Sequence, residues 1–174
     1  MRRIAKTAPT LGLGVLLGSA LPALAADPQL LGAFETWTAA MGAEKAGKIC
    51  YAAVKPTKSE GNYTRRDEVF LMVTHRPGAK ARDEVSFIAG YDLKPDSAVS
   101  VEIGDKKFTL EAGQKDTAWT PDAADDKAFV DALAKGRTMV VKATSARGTP
   151  TTDTFSLSGF AKARAEIDKA CGIK

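Results

Sequence analysis

Apolar and polar side chains alternate along much of the chain, which is the pattern of half-buried β-strands. The clearest case is residues 99–103, which are followed by Gly104-Asp105 and then by residues 106–110. A glycine at the first position of a two-residue turn supplies the positive φ that a tight hairpin needs. We therefore predict an antiparallel hairpin in which Ile103 pairs with Lys106 and one face is largely apolar.

Shorter runs of the same kind predict further strands. The unbroken apolar run at 69–73 predicts a central strand that is buried on both faces. The remaining strand candidates lie at 34–37, 49–54, 84–89, 139–142 and 154–157. Turn-forming Pro, Gly, Asp and Ser separate these runs, and many short strands at this spacing are typical of a β-sandwich rather than a parallel α/β sheet.

Two segments have the periodicity of helices. The first opens at Thr120, a suitable N-cap, with Pro121 at the first helical position, and it ends at Gly136. The acidic residues at its start fit the helix dipole, which favours negative charge at a helix N-terminus. Calcium binding is the alternative interpretation, but the Asp-x-Asp-x-Asp-Gly spacing of a calcium loop is absent. The second helix is predicted at about 160–171, with Cys171 on its apolar face. We therefore predict a mainly β fold with one internal and one C-terminal helix.

Residues 1–25 have the features of a secretory signal peptide. The basic residues Arg2, Arg3 and Lys6 precede an apolar stretch that begins at 11–17, and Ala23-Leu24-Ala25 has the small-x-small form of a cleavage site. The stretch is too short and too rich in Gly and Pro for a stable membrane span, which argues against the alternative of a retained anchor. Cleavage would leave residues 26–174 as a single domain without a membrane span, which we expect in the periplasm, associated with the outer membrane, or secreted.

Charge changes the expected partners only slightly. The whole chain has 25 Lys and Arg against 21 Asp and Glu, but three basic residues lie in the leader, which leaves 22 against 21, a net charge of +1. Nucleic-acid binding needs a concentrated basic face, whereas opposite charges alternate here, as at 65–68 and 80–84. Nucleic acid is therefore not an expected partner.

Cys50 and Cys171 are the only two cysteines in the chain. Behind a signal for export to an oxidising compartment, they predict one disulfide that closes a long loop. Two buried free thiols are the alternative, and a redox-active pair is disfavoured because no Cys-x-x-Cys is present. One His and two Cys are too few for a His/Cys zinc, haem or iron–sulfur site, so we predict no metal and no cofactor.

The motifs that mark common catalytic sites are mostly absent from the sequence. His75 is the only histidine, and we interpret it as a surface or strand-end residue without a catalytic role. The Gly-x-Ser-x-Gly and Ser-x-x-Lys patterns and a complete phosphate-binding loop are absent from the sequence after residue 25. We predict no catalytic residues. A secreted hydrolase that acts on envelope sugar or peptide stays open as an alternative, because a pair of catalytic carboxylates has no fixed spacing.

A hydroxyl-rich segment at 142–154 is the strongest candidate for a binding site. If strands end near 143 and begin again near 154, it forms a long polar loop with a cation at its tip, which could bind an anionic or polar ligand. Ordinary turn chemistry is the simpler interpretation, with Arg147 paired to Asp153. The candidate binding residues are Ser145, Arg147, Thr149, Asp153 and Arg76.

Several motifs together resemble the invasion-associated locus B family of exported proteins of Gram-negative bacteria. The motifs are Val73-Thr74-His75-Arg76-Pro77, Glu84-Val85-Ser86 with Gly90-Tyr91, Ala118-Trp119, and the segments 145–149, 151–154, 156–160 and 167–171. The resemblance covers the chain from about Phe34 onward, and none of the motifs is a catalytic signature. This chain departs from the family in one respect, because other members carry extra cysteines that it lacks.

The resemblance implies an immunoglobulin-like β-sandwich in the periplasm or at the outer membrane, with no known enzymatic activity and a link in some pathogens to host-cell entry. Together with the failed templates and the mixed surface charge, it leads us to expect a non-enzymatic envelope protein. Such a protein would bind another protein or a cell-envelope component, through the loop around Arg147.

Overall fold

The computed structural model describes residues 27–113 and 115–173, so the signal peptide predicted at 1–25 lies outside the described residues. Eleven strands and two α-helices are described in this part of the chain. The strands are β1 (Gln29–Phe34), β2 (Trp37–Glu44), β3 (Gly47–Val54), β4 (Lys58–Gly61), β5 (Phe70–Arg76), β6 (Ala81–Ile88), β7 (Ala98–Ile103), β8 (Lys106–Ala112), β9 (Thr117–Trp119), β10 (Thr138–Thr144) and β11 (Pro150–Ser156). The helices are α1 (Ala123–Lys135) and α2 (Phe160–Cys171). The predicted mainly β class with two helices is confirmed.

All strand pairs are antiparallel, and the strand order is β1-β2-β3-β5-β6-β9-β8-β7-β10-β11-β4. The predicted hairpin is formed by β7 and β8, and Ile103 pairs with Lys106 as expected. Val99 and Val101 of this hairpin are fully buried, because the alternation places them on the core face.

The sheet folds back on itself, so that strands far apart in its order meet across the core. Phe87 of β6 and Phe155 of β11 contact edge to face with their ring centroids 6.4 Å apart. These strands are five positions apart in the sheet, a separation of about 24 Å if the sheet were flat. Two facing layers are consistent with a sandwich, although hydrogen bonds join the described strands into one sheet. The immunoglobulin-like topology stays a prediction.

Helix α2 covers the layer that contains β1, β2 and β3. Its residues Phe160, Ala163 and Ile167 are buried, and the Phe160 ring lies 4.7 Å from that of Trp37, centroid to centroid. A disulfide joins Cys171 at the end of α2 to Cys50 on β3, which confirms the predicted pairing. No helix among the described residues is long and apolar enough to cross a membrane.

Two of the predicted strands are wrong in detail. The segment 34–37 is a turn between β1 and β2, in which Phe34 pairs with Trp37 and Glu35 has a positive φ of 55°. Strand β5 is a central strand, but alternate residues such as Met72 are only half-buried while Leu71 is fully buried. It therefore presents one face to the core, not two.

The start of α1 also differs from the prediction. Its N-cap is Asp122, whose Oδ1 accepts hydrogen bonds from the backbone N–H groups of Ala124 and Asp125 at 2.8 and 2.9 Å. Thr120 instead donates its hydroxyl to Asp126, which is buried and also accepts from the Val85 backbone N–H at 2.8 Å. The carboxylate of Asp126 therefore docks α1 onto β6. Gly136 caps the other end, as predicted.

Candidate functional site

The predicted loop around Arg147 is shorter than expected, because β10 continues to Thr144 and β11 begins at Pro150. Three hydrogen bonds close the five-residue loop around Ser145: its N–H donates to Thr149 O at 2.9 Å, its carbonyl accepts from Gly148 N at 2.8 Å, and its Oγ accepts from Thr149 N at 3.1 Å. The loop is thus a fixed turn with the exposed Arg147 at its tip.

A second segment holds this loop in place from the side. The Ala146 N–H donates to Asp92 O at 2.7 Å, and the Lys94 N–H donates to Thr144 O at 2.9 Å. Because these are backbone bonds, the position of the loop depends little on the identity of its side chains. The turn is therefore anchored to the chain that follows β6.

Three segments surround a surface cleft of about 500 Å³: the loop at 145–149, the stretch at 62–67 that precedes β5, and the stretch at 90–92 that follows β6. The cleft is lined by Asn62, Tyr63, Thr64, Arg65, Arg66, Asp67, Gly90, Tyr91, Asp92, Ser145, Ala146, Arg147, Thr149 and Thr151. Most of these side chains are polar, and the cleft is the place where the predicted binding loop meets residues that the sequence did not point to.

A buried ion pair between Arg66 and Asp153 lies beneath the cleft. The guanidinium makes two parallel hydrogen bonds to the carboxylate, at 2.8 and 2.7 Å, and the two side chains are 4% and 0% exposed. Ser59 Oγ also donates to Asp153 at 2.7 Å, and Arg66 Nε donates to Ala89 O at 2.7 Å. The interpretation that pairs Asp153 with Arg147 is therefore wrong, because Asp153 lies within β11 and Arg66 occupies both of its oxygens.

Two tyrosine rings enclose the Arg66 guanidinium. Its carbon lies 4.8 Å from the Tyr91 ring centroid and 5.5 Å from that of Tyr63, within the range of cation–π attraction. Burial alone would lower the pKa of Arg66, but the hydrogen bonds and charge of Asp153 outweigh it, and the pKa is raised. Burial raises the pKa of Tyr91, although the hydrogen bond between its hydroxyl and that of Thr151, at 2.5 Å, opposes this shift. The cation beneath the cleft is therefore permanently charged and locally neutralised.

Gly90 allows two of the cleft segments to approach closely. It has a φ of +71°, and a Cβ at this position would lie 2.4 Å from Asp67 O. The Asp67 N–H donates to Gly90 O at 2.9 Å. Any larger residue would clash with this backbone and adopt a strained conformation, so the glycine permits the close approach of these two segments.

The structure brings together some of the predicted binding residues and separates others. Ser145, Arg147 and Thr149 line the cleft, and Asp153 lies beneath it with its carboxylate fully buried. Arg76 lies at the opposite end of β5 from the cleft segment, about 20 Å along the strand. There it pairs with Glu44 at 2.9 Å and with Glu84. Arg76 therefore lies apart from the cleft, and its role as a binding residue stays a prediction.

Sequence reasoning missed the residues that form the other half of the cleft: Tyr63, Arg66 and Tyr91. In the sequence, Arg65-Arg66-Asp67-Glu68 has the pattern of a solvated mixed surface, and Arg65 fits it, being 89% exposed and 3.6 Å from Asp67. No local signal distinguishes Arg66 from its neighbour. Its burial depends on a carboxylate that lies 87 residues away.

His75 is at a strand end, as predicted, but it is fully buried rather than on the surface. Its Nδ1 accepts from the Asp83 backbone N–H at 3.0 Å, so Nε2 carries the proton and donates to Asp168 at 2.8 Å. Burial lowers the pKa of His75, and the nearby carboxylates of Asp83 and Asp168 only partly oppose this shift. The imidazole links β5 to α2 and lies away from the cleft.

The structure also bears on a metal site and on a phosphate-binding loop. Among residues 27–113 and 115–173, no group of three or more His, Cys, Asp or Glu side chains is arranged to hold a metal ion. Residues 42–48 match Gly-x-x-x-x-Gly-Lys, the beginning of a phosphate-binding loop, but Ile49 replaces the Ser or Thr. This segment forms the hairpin between β2 and β3 rather than a loop between a strand and a helix.

The fold and the cleft together define a mainly β domain whose C-terminal helix is held by a disulfide and whose surface carries a polar cleft. The family model described as Invasion associated locus B (IalB) protein matches residues 37–168, which is 132 of the 174 residues. The chain belongs to this family, as its motifs predicted; the family is not a known enzyme family. Comparisons with curated proteins and with solved structures gave no match.

Proposed function

We propose that this chain is an exported, non-enzymatic protein of the cell envelope that binds another protein or an envelope component through the cleft beside Arg147. One observation carries the proposal: three separate segments are fixed around a polar cleft, and an exposed cation at its rim has no hydrogen-bond or ion-pair partner among the described residues. A guanidinium in this position is available for a charge-assisted, two-bonded contact with a ligand.

The rigidity of the cleft supports a binding role. Arg66 ties the segment at 62–67 to β11 through Asp153 and to the end of β6 through Ala89. Backbone bonds tie the loop at 145–149 to the stretch after β6. A site that is already ordered loses little conformational entropy on binding, which favours affinity.

The proposed location rests on two features. The leader at 1–25 has the composition of a secretory signal, and the Cys50–Cys171 disulfide is of the kind that persists in an oxidising compartment. We place the protein in the periplasm, with association to the outer membrane or secretion as further steps. Through binding, it would serve the envelope or host-cell entry, the process that the family's name denotes.

The hydrolase alternative needs two free carboxylates at the cleft. Asp67 and Asp92 both line it, but Asp67 pairs with Arg65 at 3.6 Å. Asp153, the most buried carboxylate beneath the cleft, is held by Arg66 through both oxygens and is closed to solvent. It therefore cannot attack a substrate or exchange a proton with one. We propose binding rather than hydrolysis.

The proposal is tested by cross-linking tagged protein in intact cells, with wild type, Arg147→Ala and Arg137→Ala compared at equal expression. Arg137 is the matched control, since it is exposed and lies at the other end of β10. We expect a specific partner that is lost with Arg147→Ala and kept with Arg137→Ala. Capture that survives Arg147→Ala would contradict the assigned site, and the absence of any specific partner would contradict the binding role.

A further inference from the structure

We infer that the ligand of the cleft is a saccharide chain without strong negative charge, bound through its hydroxyl groups. This inference rests on the proposed function, because it assumes that the cleft is the binding site, and it adds the chemical class of the ligand. Its basis is the set of cleft side chains that have no hydrogen-bond or ion-pair partner among the described residues.

Four polar side chains around the cleft have no hydrogen-bond or ion-pair partner within the described part of the chain. They are the side chains of Asn62, Thr64, Asp92 and Arg147, and all four residues are exposed. The other charged groups of the cleft are already paired: Arg66 with Asp153, and Arg65 with Asp67. The unpaired groups are therefore the ones left for a ligand.

These unpaired groups form a chemically specific set. A carboxylate only accepts hydrogen bonds, a guanidinium only donates them, and an amide or a hydroxyl does both. Three of them, the side chains of Asn62, Asp92 and Arg147, are planar and present two neighbouring polar atoms. Adjacent hydroxyls on a sugar ring each donate and accept, so they match planar groups of both kinds.

The charge of the cleft disfavours a polyanion. The unpaired carboxylate of Asp92 offsets the charge of the unpaired Arg147 guanidinium, and each of the other cations of the cleft has a carboxylate partner within the protein. Polyanion binding needs several uncompensated cations. Asp92 lines the same cleft as Arg147, so its negative charge disfavours a phosphate or sulfate there, whereas it can accept a hydrogen bond from a neutral hydroxyl.

The walls of the cleft fit the same ligand class. Its volume of about 500 Å³ is typical of a small-molecule site, but sites for apolar ligands are lined mainly by hydrophobic side chains. Polar walls lose hydrogen bonds to water when a ligand enters, so the ligand must replace those bonds. The rings of Tyr63 and Tyr91 each contact Arg66, and the part of each half-buried ring that lines the cleft adds apolar surface of the kind on which the C–H face of a sugar ring can pack.

The experiment is a glycan array printed with neutral and acidic bacterial and animal oligosaccharides, probed with the protein that retains its disulfide. The strongest oligosaccharide is then titrated by calorimetry into wild type, Asp92→Ala, Arg147→Ala and Asn62→Ala. Asp105→Ala and Arg137→Ala are the controls, since both residues are exposed and lie outside the cleft. We expect neutral oligosaccharides to bind and the controls to match wild type. Asp92→Ala and Arg147→Ala should each weaken binding at least about tenfold, as the loss of a hydrogen bond to a charged group predicts, and Asn62→Ala, which removes a neutral group, by about twofold to tenfold.

Each other outcome overturns the inference. Binding confined to acidic glycans, lost with Arg147→Ala but kept with Asp92→Ala, would identify an anion site. Glycan binding that no cleft variant weakens would place the saccharide elsewhere. If no glycan binds while cells still yield an Arg147-dependent protein partner, the proposed function stands and the saccharide class is wrong. If neither assay detects binding, both fail.

Discussion

Arg66 and Asp153 form a two-bonded ion pair that is almost closed to solvent, although 87 residues separate them in the chain. The pair joins the irregular stretch before β5 to β11, which lies next to the edge strand β4. Taking two charges out of water is costly, and their mutual attraction compensates only while both partners are present. The cleft above therefore depends on this ion pair. Removing one partner should destabilise the protein much more than replacing both partners with apolar residues.

Asp153→Ala should lower the free energy of unfolding by about 3–5 kcal/mol, because it leaves the Arg66 cation buried without a counter-charge. Urea denaturation followed by circular dichroism measures this loss. The matched control is Asp67→Ala, which breaks an exposed pair and should change stability little. The double variant Arg66→Met/Asp153→Leu should recover part of the loss; a double variant less stable than Asp153→Ala would show that the explanation is wrong.

Replacing Cys50 and Cys171 together by Ser should also destabilise the protein. The disulfide closes a loop with a sequence separation of 121, for which chain entropy predicts a loss of about 5 kcal/mol as an upper figure. The measurement is the urea midpoint of wild type and of the double variant, each with and without reductant. Reductant should lower the wild-type midpoint and leave that of the double variant unchanged. Equal sensitivity of both proteins to reductant would contradict this expectation.

The buried His75 predicts a loss of stability on acidification. Its pKa is lowered in the folded state by burial, so the unfolded chain binds more protons between that lowered pKa and about 6.5. His75 therefore costs no stability above about pH 6.5, and the free energy of unfolding falls as the pH drops below that value. His75→Gln, which keeps a donor towards Asp168, should have a flatter profile between pH 7.5 and 5.

Unfolding free energies of both proteins across this range test the prediction. Asp126 titrates in both and has the opposite sign, since burial raises its pKa and its carboxylate costs stability as the pH rises. Its effect cancels in the difference between wild type and variant. Parallel profiles would exclude His75 as the origin of the acid sensitivity.

The contact of Asp126 with β6 should be essential to the docking of α1. Asp126→Ala leaves the Val85 backbone N–H buried without its partner and should cost about 1–3 kcal/mol. Asp126→Asn retains an acceptor oxygen and should cost less. Thermal melts rank the two variants beside Asp125→Ala, a neighbour in the same helical turn that is only half-buried. The idea fails if Asn and Ala are equally damaging.

Local signals in the sequence predicted the elements that depend on local physics. The β7–β8 hairpin follows from strict alternation on both sides of Gly104-Asp105, and α2 follows from its helical apolar face. The disulfide was predicted from the only two cysteines in the chain together with the expected export signal, and the pairing is confirmed. In each case the residues that determine the structure are neighbours in sequence or are unique in the chain.

The failures share the opposite property. Arg66 and His75 were interpreted as surface or strand-end residues, but their partners Asp153 and Asp168 are 87 and 93 residues away in the chain. Thr120 was interpreted as a cap, whereas its hydroxyl bonds to Asp126. The stretch at 62–67 has no periodicity, so nothing in it indicates which residue is buried. Arg147 lies at the tip of a hairpin loop, as expected, because the strands on both sides of it were recognisable. The half of the site that faces it was not, since tertiary contacts alone create it.

Helix α2 packs on β1, β2 and β3 and follows every described strand in the chain. Two adjacent positions on neighbouring strands hold it, Cys50 through the disulfide and His75 through Asp168. The earliest strands therefore stay without their cover until α2 is available. While a ribosome still holds residues 160–171, the core beneath these strands stays open, so a helix made after all the described strands completes the part of the fold that was made first.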